Sequence, residues 1–351
     1  MEGIVTRIRS VLCEVDADGK TYACKARRRL VASDTGESKP VVVGDQVVLT
    51  STGPGEAVIE EVLPRRTKLS RRSPGDVRTE HVIVSNVDQL LVVCSVRKPP
   101  LTLGIIDRYI IAGHSGGLDP IVCINKTDLA EDPAEYLEPA RTYEQMGYTV
   151  LLTSARSGTG LESLKGTLRG KSTVLAGHSG VGKSSLINAV QPGLKLKTGA
   201  VSSKGRHVTA WVSLLRLDFG GYVVDTPGIR EFTLWDMKKS EVAQFFPQIW
   251  ELAPQCRLPA CLHLEEPDCA VKRALESGEL PAAHYARYVR ISETLVEEPR
   301  VPRATDVEVP AEQIGRKKRA LSRRKMKQVL RETGLNEVAD EAEEEPEPGP
   351  T

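Results

Sequence analysis

Residues 173–190 read TVLAGHSGVGKSSLINAV, and this stretch decides the fold. Gly177, His178, Ser179, Gly180, Val181, Gly182, Lys183 and Ser184 fit the phosphate-loop pattern G-x-x-x-x-G-K-[ST]. An apolar run, Thr173–Ala176, precedes it and a helix-forming run follows, which is the strand–loop–helix context the chemistry needs. Glycines let the backbone curl until successive N–H groups face phosphate oxygens. The helix that follows adds the positive end of its dipole. Lys183 offers a point charge to the β and γ phosphates, and the Ser184 hydroxyl suits Mg²⁺, with Ser185 beside it in the expected binding set.

Two more stretches belong to the same chemistry. Asp225-Thr-Pro-Gly228 follows the apolar run Tyr222–Val224 and lies 41 residues beyond Ser184, room for a helix and one returning strand. An acid at a neighbouring strand end can hold Mg²⁺ through water, and Gly228 can present its N–H to a γ phosphate. Asn125-Lys126-Thr127-Asp128 ends the run Ile121–Ile124. The two coplanar oxygens of Asp128 match the ring N–H and exocyclic amine of guanine, and adenine has no such donor pair. The Lys126 stem can lie along the base. Thr153-Ser154-Ala155, at the end of the next strand, can bring a backbone N–H to the guanine carbonyl. Four strand ends thus point at one nucleotide, as ligand sites in open α/β sheets require.

The surroundings divide the 351 residues further. Hydrophobic residues make up 40% and charged residues 27%, with net charge +1, which fits a soluble chain of two or three domains. No run of 18 apolar residues occurs, so no membrane helix is expected. The opening MEGIVTRIRS reads as a strand, not a secretion signal, so a reducing cytoplasm is expected. Residues 1–64 carry β-like runs at Gly3–Val15, Lys20–Arg27, Val41–Thr50 and Ala57–Leu63, predicting an OB-type barrel that binds RNA. Residues 65–80 read as a basic linker, since 64–78 hold six basic residues and one acid.

Over 81–237, apolar runs at 89–94, 120–124, 148–152, 173–176 and 222–224 alternate with helix-compatible stretches near 103–113, 134–146, 160–169 and 183–190. This predicts an α/β domain, a mostly parallel sheet with helices on both faces. Trp211–Leu217 is expected to pair antiparallel with the last strand. Residues 238–298 read as a helical, zinc-binding segment. Residues 299–351 read as a disordered tail, with nine basic residues in 316–331 and eight acids in 332–351.

Cys256-x4-Cys261-x-His263-x5-Cys269 places three thiols and an imidazole within 14 residues. Four protein ligands leave no open position, so one structural zinc is expected. Cys13, Cys24, Cys94 and Cys123 sit in apolar runs and read as buried strand residues. The basic clusters Lys25–Arg29, Arg65–Arg72 and Arg316–Arg331 suggest salt-dependent RNA contacts. With 4% aromatics, shape and backbone contacts should outweigh base stacking.

The nucleotide motifs look like those of translation-factor-class GTPases in a changed order. Such proteins run phosphate loop, D-x-x-G, N-K-x-D, S-A. This chain runs N-K-T-D, S-A, phosphate loop, D-T-P-G, a circular permutation that leads from the D-x-x-G region straight into the cysteine segment. A permuted GTPase between an OB barrel and a zinc segment resembles the ribosome small-subunit-dependent GTPase A (RsgA, YjeQ or YloQ) family over roughly residues 1–298. The resemblance rests on Asn86-Val-Asp-Gln89, residues 180–188, Gly205-Arg-His207, Asp225–Gly228 and the cysteine cluster followed by Ala286-Arg-Tyr288.

The resemblance implies GTP hydrolysis to GDP stimulated by the small (30S) ribosomal subunit, rRNA binding and a part in late subunit maturation. A monomer is expected. Ile229 follows Gly228 where many GTPases carry a water-orienting Gln. The resemblance gives that role to His207, whose imidazole can orient water or accept a proton near neutrality. Of the three threonines in the family's G-x-H-T-T-T pattern only Thr209 survives, and it is expected to close on Mg²⁺. His178 stands where the family usually has Gln and has no expected catalytic part. The alternative is an RNA-binding assembly module that uses GTP as a clamp with negligible turnover. An ATPase is a further alternative, against which Asp128 argues.

Overall fold

Glu2–Arg9 (β1) and Leu12–Ala17 (β2) open the chain as an antiparallel hairpin, where the sequence suggests a single run from Gly3 to Val15. The computed structural model describes residues 1–9, 11–27, 30, 37, 39–73, 76–194, 212–225 and 237–295. Lys20–Ala26 (β3), Gln46–Gly53 (β4) and Glu56–Val62 (β5) follow. The strands run β1-β2-β3-β5-β4, and β4 returns to β1 through Glu2↔Val48, Gly3↔Val47 and Ile4↔Gln46. That closes a five-stranded barrel in which only β3 and β5 pair in parallel. Alternating side chains of Val5, Val15, Cys24, Val47 and Ile59 fill it, all with 0% exposure.

Residues 65–80 are not a linker. Lys68–Ser73 (β6) and Asp76–Ser85 (β7) form an antiparallel hairpin. The basic count concealed an inward alternation, with Thr67 and Leu69 buried between the charges. It also concealed partners distant in sequence. Arg65 donates to Asp45 at 2.7 and 2.9 Å and also reaches Glu37. Lys68 pairs with Glu80 and Arg66 with Asp88, both at 2.8 Å.

β7 then feeds the second sheet region. Its elements are Gln89–Ser95 (β8), Leu103–Ser115 (α1), Asp119–Asn125 (β9), Ala134–Gln145 (α2), Thr149–Leu152 (β10), Leu161–Leu168 (α3), Ser172–Ala176 (β11), Lys183–Val190 (α4), Ser213–Arg216 (β12) and Tyr222–Asp225 (β13). Spatial order is β10-β9-β8-β11-β13-β12, parallel as far as β13, with β12 antiparallel to it. Every residue of β8 is buried, as a strand covered on both faces must be. Leu90 and Val92 pack towards Ile106, Tyr109 and Ile110 of α1; Leu91 and Val93 pack on the other face towards α3 and α4. β12 also pairs antiparallel with β1 at Arg7↔Ser213, so barrel and parallel region form one eleven-stranded sheet.

Asn86-Val-Asp-Gln89 fastens the barrel to this sheet. The Asn86 amide donates to Gly44 O at 3.0 Å and its oxygen accepts the Arg66 N–H at 2.8 Å. Asp88 accepts from the backbone and hydroxyl of Ser172 at 2.8 and 2.6 Å. Gly44 has φ +92°, and a Cβ there would stand 1.9 Å from the Ser85 carbonyl oxygen. Gly44→Ala is therefore expected to destabilise the fold by about 2–3 kcal/mol. A thermal midpoint equal to that of the unmodified protein would refute the close approach.

After β13 the described elements include 3-10 turns over Lys239–Phe245 and Ala253–Gln255 and three helices, Pro247–Leu252 (α5), Ala270–Glu276 (α6) and Ala282–Thr294 (α7). No helix among the described residues is long and apolar enough to cross a membrane. Cys13, Cys24, Cys94 and Cys123 are all buried in strands, as expected. The predicted tail, 299–351, lies outside the described residues.

Candidate functional site

Gly177–Gly182 runs from the buried end of β11 to the first turn of α4. Two glycines are obligatory there. Gly177 has φ +139°, and a Cβ would meet Val93 O at 2.0 Å; Gly182 has φ +101°, and a Cβ would meet the Asn125 amide nitrogen at 2.3 Å. The Lys183 ammonium folds over the loop, donating to Gly177 O at 2.7 Å and His178 O at 3.1 Å. Ser184 and Ser185 occupy the first turn of α4, half-buried. His178 is exposed, with Nδ1 3.1 Å from Ser179 O.

The guanine-type motif is stitched to this loop. The buried Asn125 amide donates to Val181 O at 2.8 Å. Lys126, with a left-handed φ of 62°, donates to Gly180 O at 2.6 Å and also to Lys98 O. Partial burial, reinforced by Lys98 and opposed by Asp128, holds its ammonium below the ordinary lysine pKa. β10 brings the third stretch alongside. Ser154 donates from its hydroxyl to Asp128 Oδ1 at 2.6 Å, Thr127 donates to Thr153 O at 3.2 Å, and the Ala155 N–H reaches Asn125 Oδ1 at 3.4 Å. Asp128 itself is exposed. Chemically, this sets the loop backbone and the ammonium groups of Lys183 and Lys126 beside an oriented carboxylate, Asp128.

β13 pairs parallel with β11 through Val174↔Val224, so Asp225 ends the strand next to the phosphate loop. The side chain of Asp225, the expected γ-phosphate residue Gly228, and His207 and Thr209 lie outside the described residues.

The metal-type cluster forms as the spacing suggests. Donor atoms of Cys256, Cys261, His263 and Cys269 all lie within 4.8 Å of one another. Cys256 and Cys269 sulfurs are 3.9 Å apart, and each lies 3.5 Å from His263 Nδ1. A tetrahedral zinc with Zn–S near 2.3 Å and Zn–N near 2.0–2.1 Å demands edges of about 3.8 and 3.5 Å, so these donors fit that ion. Burial lowers the His263 pKa, favouring the neutral imidazole that a metal needs. Outer groups hold the loop: Glu266 accepts the Leu262 and Leu264 N–H groups at 2.8 and 2.9 Å, and Tyr285 and Tyr288 donate to His263 O and Leu262 O at 2.8 and 2.6 Å.

Sequence reasoning missed two features. Arg97 forks onto Glu135 at 2.9 and 3.0 Å and also pairs with Glu131, pinning the turn after β8 whose Lys98 carbonyl meets Lys126. Arg287 was singled out within Ala286-Arg-Tyr288 but given no role. It is buried against Asp107, donating from Nε to Oδ2 at 2.8 Å with a second bond from Nη2. Its guanidinium also stacks 4.7 Å from the Tyr143 ring centroid, and Tyr143 donates to Asp107 at 2.9 Å. In sequence Arg287 is one of two arginines in a helical run, and nothing there sets it apart from Arg290.

Known proteins agree with this architecture. The sequence model of the RsgA GTPase family matches residues 62–235. The small ribosomal subunit biogenesis GTPase RsgA of Moorella thermoacetica is 39% identical over 292 residues, covering 82% of this chain and 95% of that relative. The protein of the same name from Thermotoga neapolitana is 38% identical over 301 residues, covering 84% and 96%. Among solved structures, YjeQ from Thermotoga maritima gives a TM-score of 0.67 at 35% identity over 85% of this chain and 99% of that one. YloQ, a circularly permuted GTPase, gives 0.61 at 32% identity, over 84% and 94%. Similarity of this extent, over a barrel, a permuted nucleotide sheet and a Cys₃His cluster, means that the chain belongs to the RsgA family of GTPases.

Proposed function

We propose that the protein hydrolyses GTP to GDP and phosphate on the small ribosomal subunit, in the late maturation of that particle. The observation that carries the nucleotide reading is the seam in which Asn125 and Lys126 bond the carbonyls of Val181 and Gly180. It joins the two motif stretches directly, although they lie more than fifty residues apart. In this reading Asp128 takes the two guanine donors, with Ser154 fixing its orientation. Ala155 faces the guanine carbonyl, Lys183 leaves its two carbonyls for the phosphates, and the N–H groups of Gly180–Ser185 complete the cradle. Bound GTP with Mg²⁺ supplies the electrophilic γ phosphoryl group. Ser184, Thr209 and Asp225 would hold the ion, and Gly228 would meet the γ phosphate. One zinc would sit in Cys256, Cys261, His263 and Cys269.

Ile229 carries no group that can orient water, so the reading assigns that task to His207. His207→Ala is expected to lower subunit-stimulated turnover about a hundredfold while GTP affinity stays within about twofold. Stimulated turnover at the unmodified rate would end the assignment. The barrel and the basic clusters are proposed to contact rRNA phosphates, so subunit binding should weaken as salt rises. The protein is proposed to be a cytoplasmic monomer. Phosphate release from GTP, measured with and without purified 30S subunits, tests the whole. Turnover indifferent to subunits removes the proposed partner, and none under either condition leaves the GTP clamp.

A further inference from the structure

We propose that Arg97 is a positioning residue for guanine recognition: it clasps the turn after β8 to the start of α2 and so holds the Lys126 side chain in place before nucleotide arrives. The inference rests on the GTP-binding reading and deepens it by adding a residue outside the nucleotide motifs.

Lys126 is the residue whose stem would lie along the base. A lysine stem has four carbons and many rotamers, so left alone it would be ordered only by the ligand. Here its ammonium is held at two points. One is Gly180 O of the phosphate loop, at 2.6 Å; the other is Lys98 O, in the turn that follows β8. The second acceptor lies outside every nucleotide motif, and its place depends on what fixes that turn.

Several bonds fix it. Within the turn, Ser95 donates to Pro99 O at 2.8 Å and the Leu101 N–H reaches Val96 O at 3.3 Å. The Val96 N–H ties the turn to Asn125 O at 3.1 Å, one residue before Lys126. Lys98 itself is exposed and takes a left-handed φ of 56°, a conformation that a lysine keeps when its neighbours hold it there. Arg97 supplies that hold. Its guanidinium forks onto both oxygens of Glu135 and also reaches Glu131. Glu135 Oε1 in turn accepts the N–H groups of Glu131 and Asp132 at 2.9 and 3.0 Å. The result is a closed ring. It runs along the chain from Lys126 to Glu131, across to Arg97, on to Lys98, and back to Lys126 through its ammonium. An isolated ion pair this exposed would contribute little, but a two-pronged fit within a network is the exception. Opening the ring frees the Lys126 stem, and nucleotide must then order it. Ordering one such side chain weakens affinity about two- to tenfold.

The test measures calorimetric Kd values for GTP and GDP on the whole protein, beside its thermal midpoint. Arg97→Ala is expected to weaken both nucleotides by the same factor, about three- to tenfold. Glu135→Gln keeps an oxygen for the two N–H groups but turns an amide towards Arg97, and should weaken both about two- to threefold. It carries the test if Arg97→Ala does not fold. Lys126→Met keeps an apolar stem and removes the ammonium, so adding Arg97→Ala to it should change Kd by less than about 1.5-fold. Unmodified affinity in either folded variant, whatever its midpoint, would make the clasp merely structural and overturn the proposal. So would an Arg97→Ala effect as large in the Lys126→Met background as in the unmodified one. A loss for GTP with GDP spared would place the fault at the γ phosphate and overturn it too. An unmodified protein that binds no GTP would instead sink the functional reading, and that control is measured first.

Discussion

Lys183→Ala is expected to weaken GTP binding by about a hundredfold or more. The ammonium donates to the carbonyls of Gly177 and His178, both within its own loop. Transfer to two phosphates replaces neutral acceptors by charged ones, and each bond to a charged group contributes about 1.5–3 kcal/mol. Two such bonds correspond to about 10²–10⁴ in Kd. The fold should scarcely respond, since Lys183 is only half-buried and water can satisfy the two carbonyls. Calorimetry beside thermal unfolding separates these outcomes. Unchanged affinity would remove Lys183 from the site, and with it the proposed location of the phosphates.

Cys269→Ser should have a comparable effect on the other end of the molecule. Cys269 is 2% exposed and immediately precedes α6, while its sulfur lies 3.9 Å from that of Cys256. The loop from Cys256 to Cys269 contains no strand or α-helix, so in the proposed zinc-bound form the ion adds to the few hydrogen bonds that fix its shape. Structural zinc supplies about 10–16 kcal/mol in isolated finger peptides at neutral pH, and a three-donor set forfeits much of that. Zinc content is expected to fall from one per chain to below about one half, with residues 256–269 becoming sensitive to protease. A fully resistant loop holding no metal would show that packing by Phe246, Ile249, Val271 and Tyr288 suffices.

Local periodicity and short motifs made much of this legible. The all-apolar run 89–94 became β8, and the helices near 103–113, 134–146 and 183–190 became α1, α2 and α4 within two residues at each end. Cys256, Cys261, His263 and Cys269 could be grouped because one loop holds all four. Errors arose where the deciding partner is remote. The charges of 65–80 look like a solvated linker until Asp45 and Glu37 are placed against Arg65. Val11, 74% exposed, disguised the turn that splits Gly3–Val15 into two strands. No spacing rule connects Asp107 to Arg287, because ion pairs across a fold carry no periodicity.

The pairing of Arg7 with Ser213 imposes a timetable on the newborn polypeptide. At about 5–20 residues per second, β12 leaves the synthesising machine roughly 10 to 40 s after β1. Meanwhile β1 already has β2 on one flank and the returning β4 beside its first residues. The five-stranded module can therefore finish early by local closures and wait as a nucleus with a reserved border. Permutation makes that order unavoidable, since β8, β9 and β10 also emerge before the strand that carries the phosphate loop. Maturation of the nucleotide half ends when β12 and β13 are laid against a platform that has stood since the first seconds of translation.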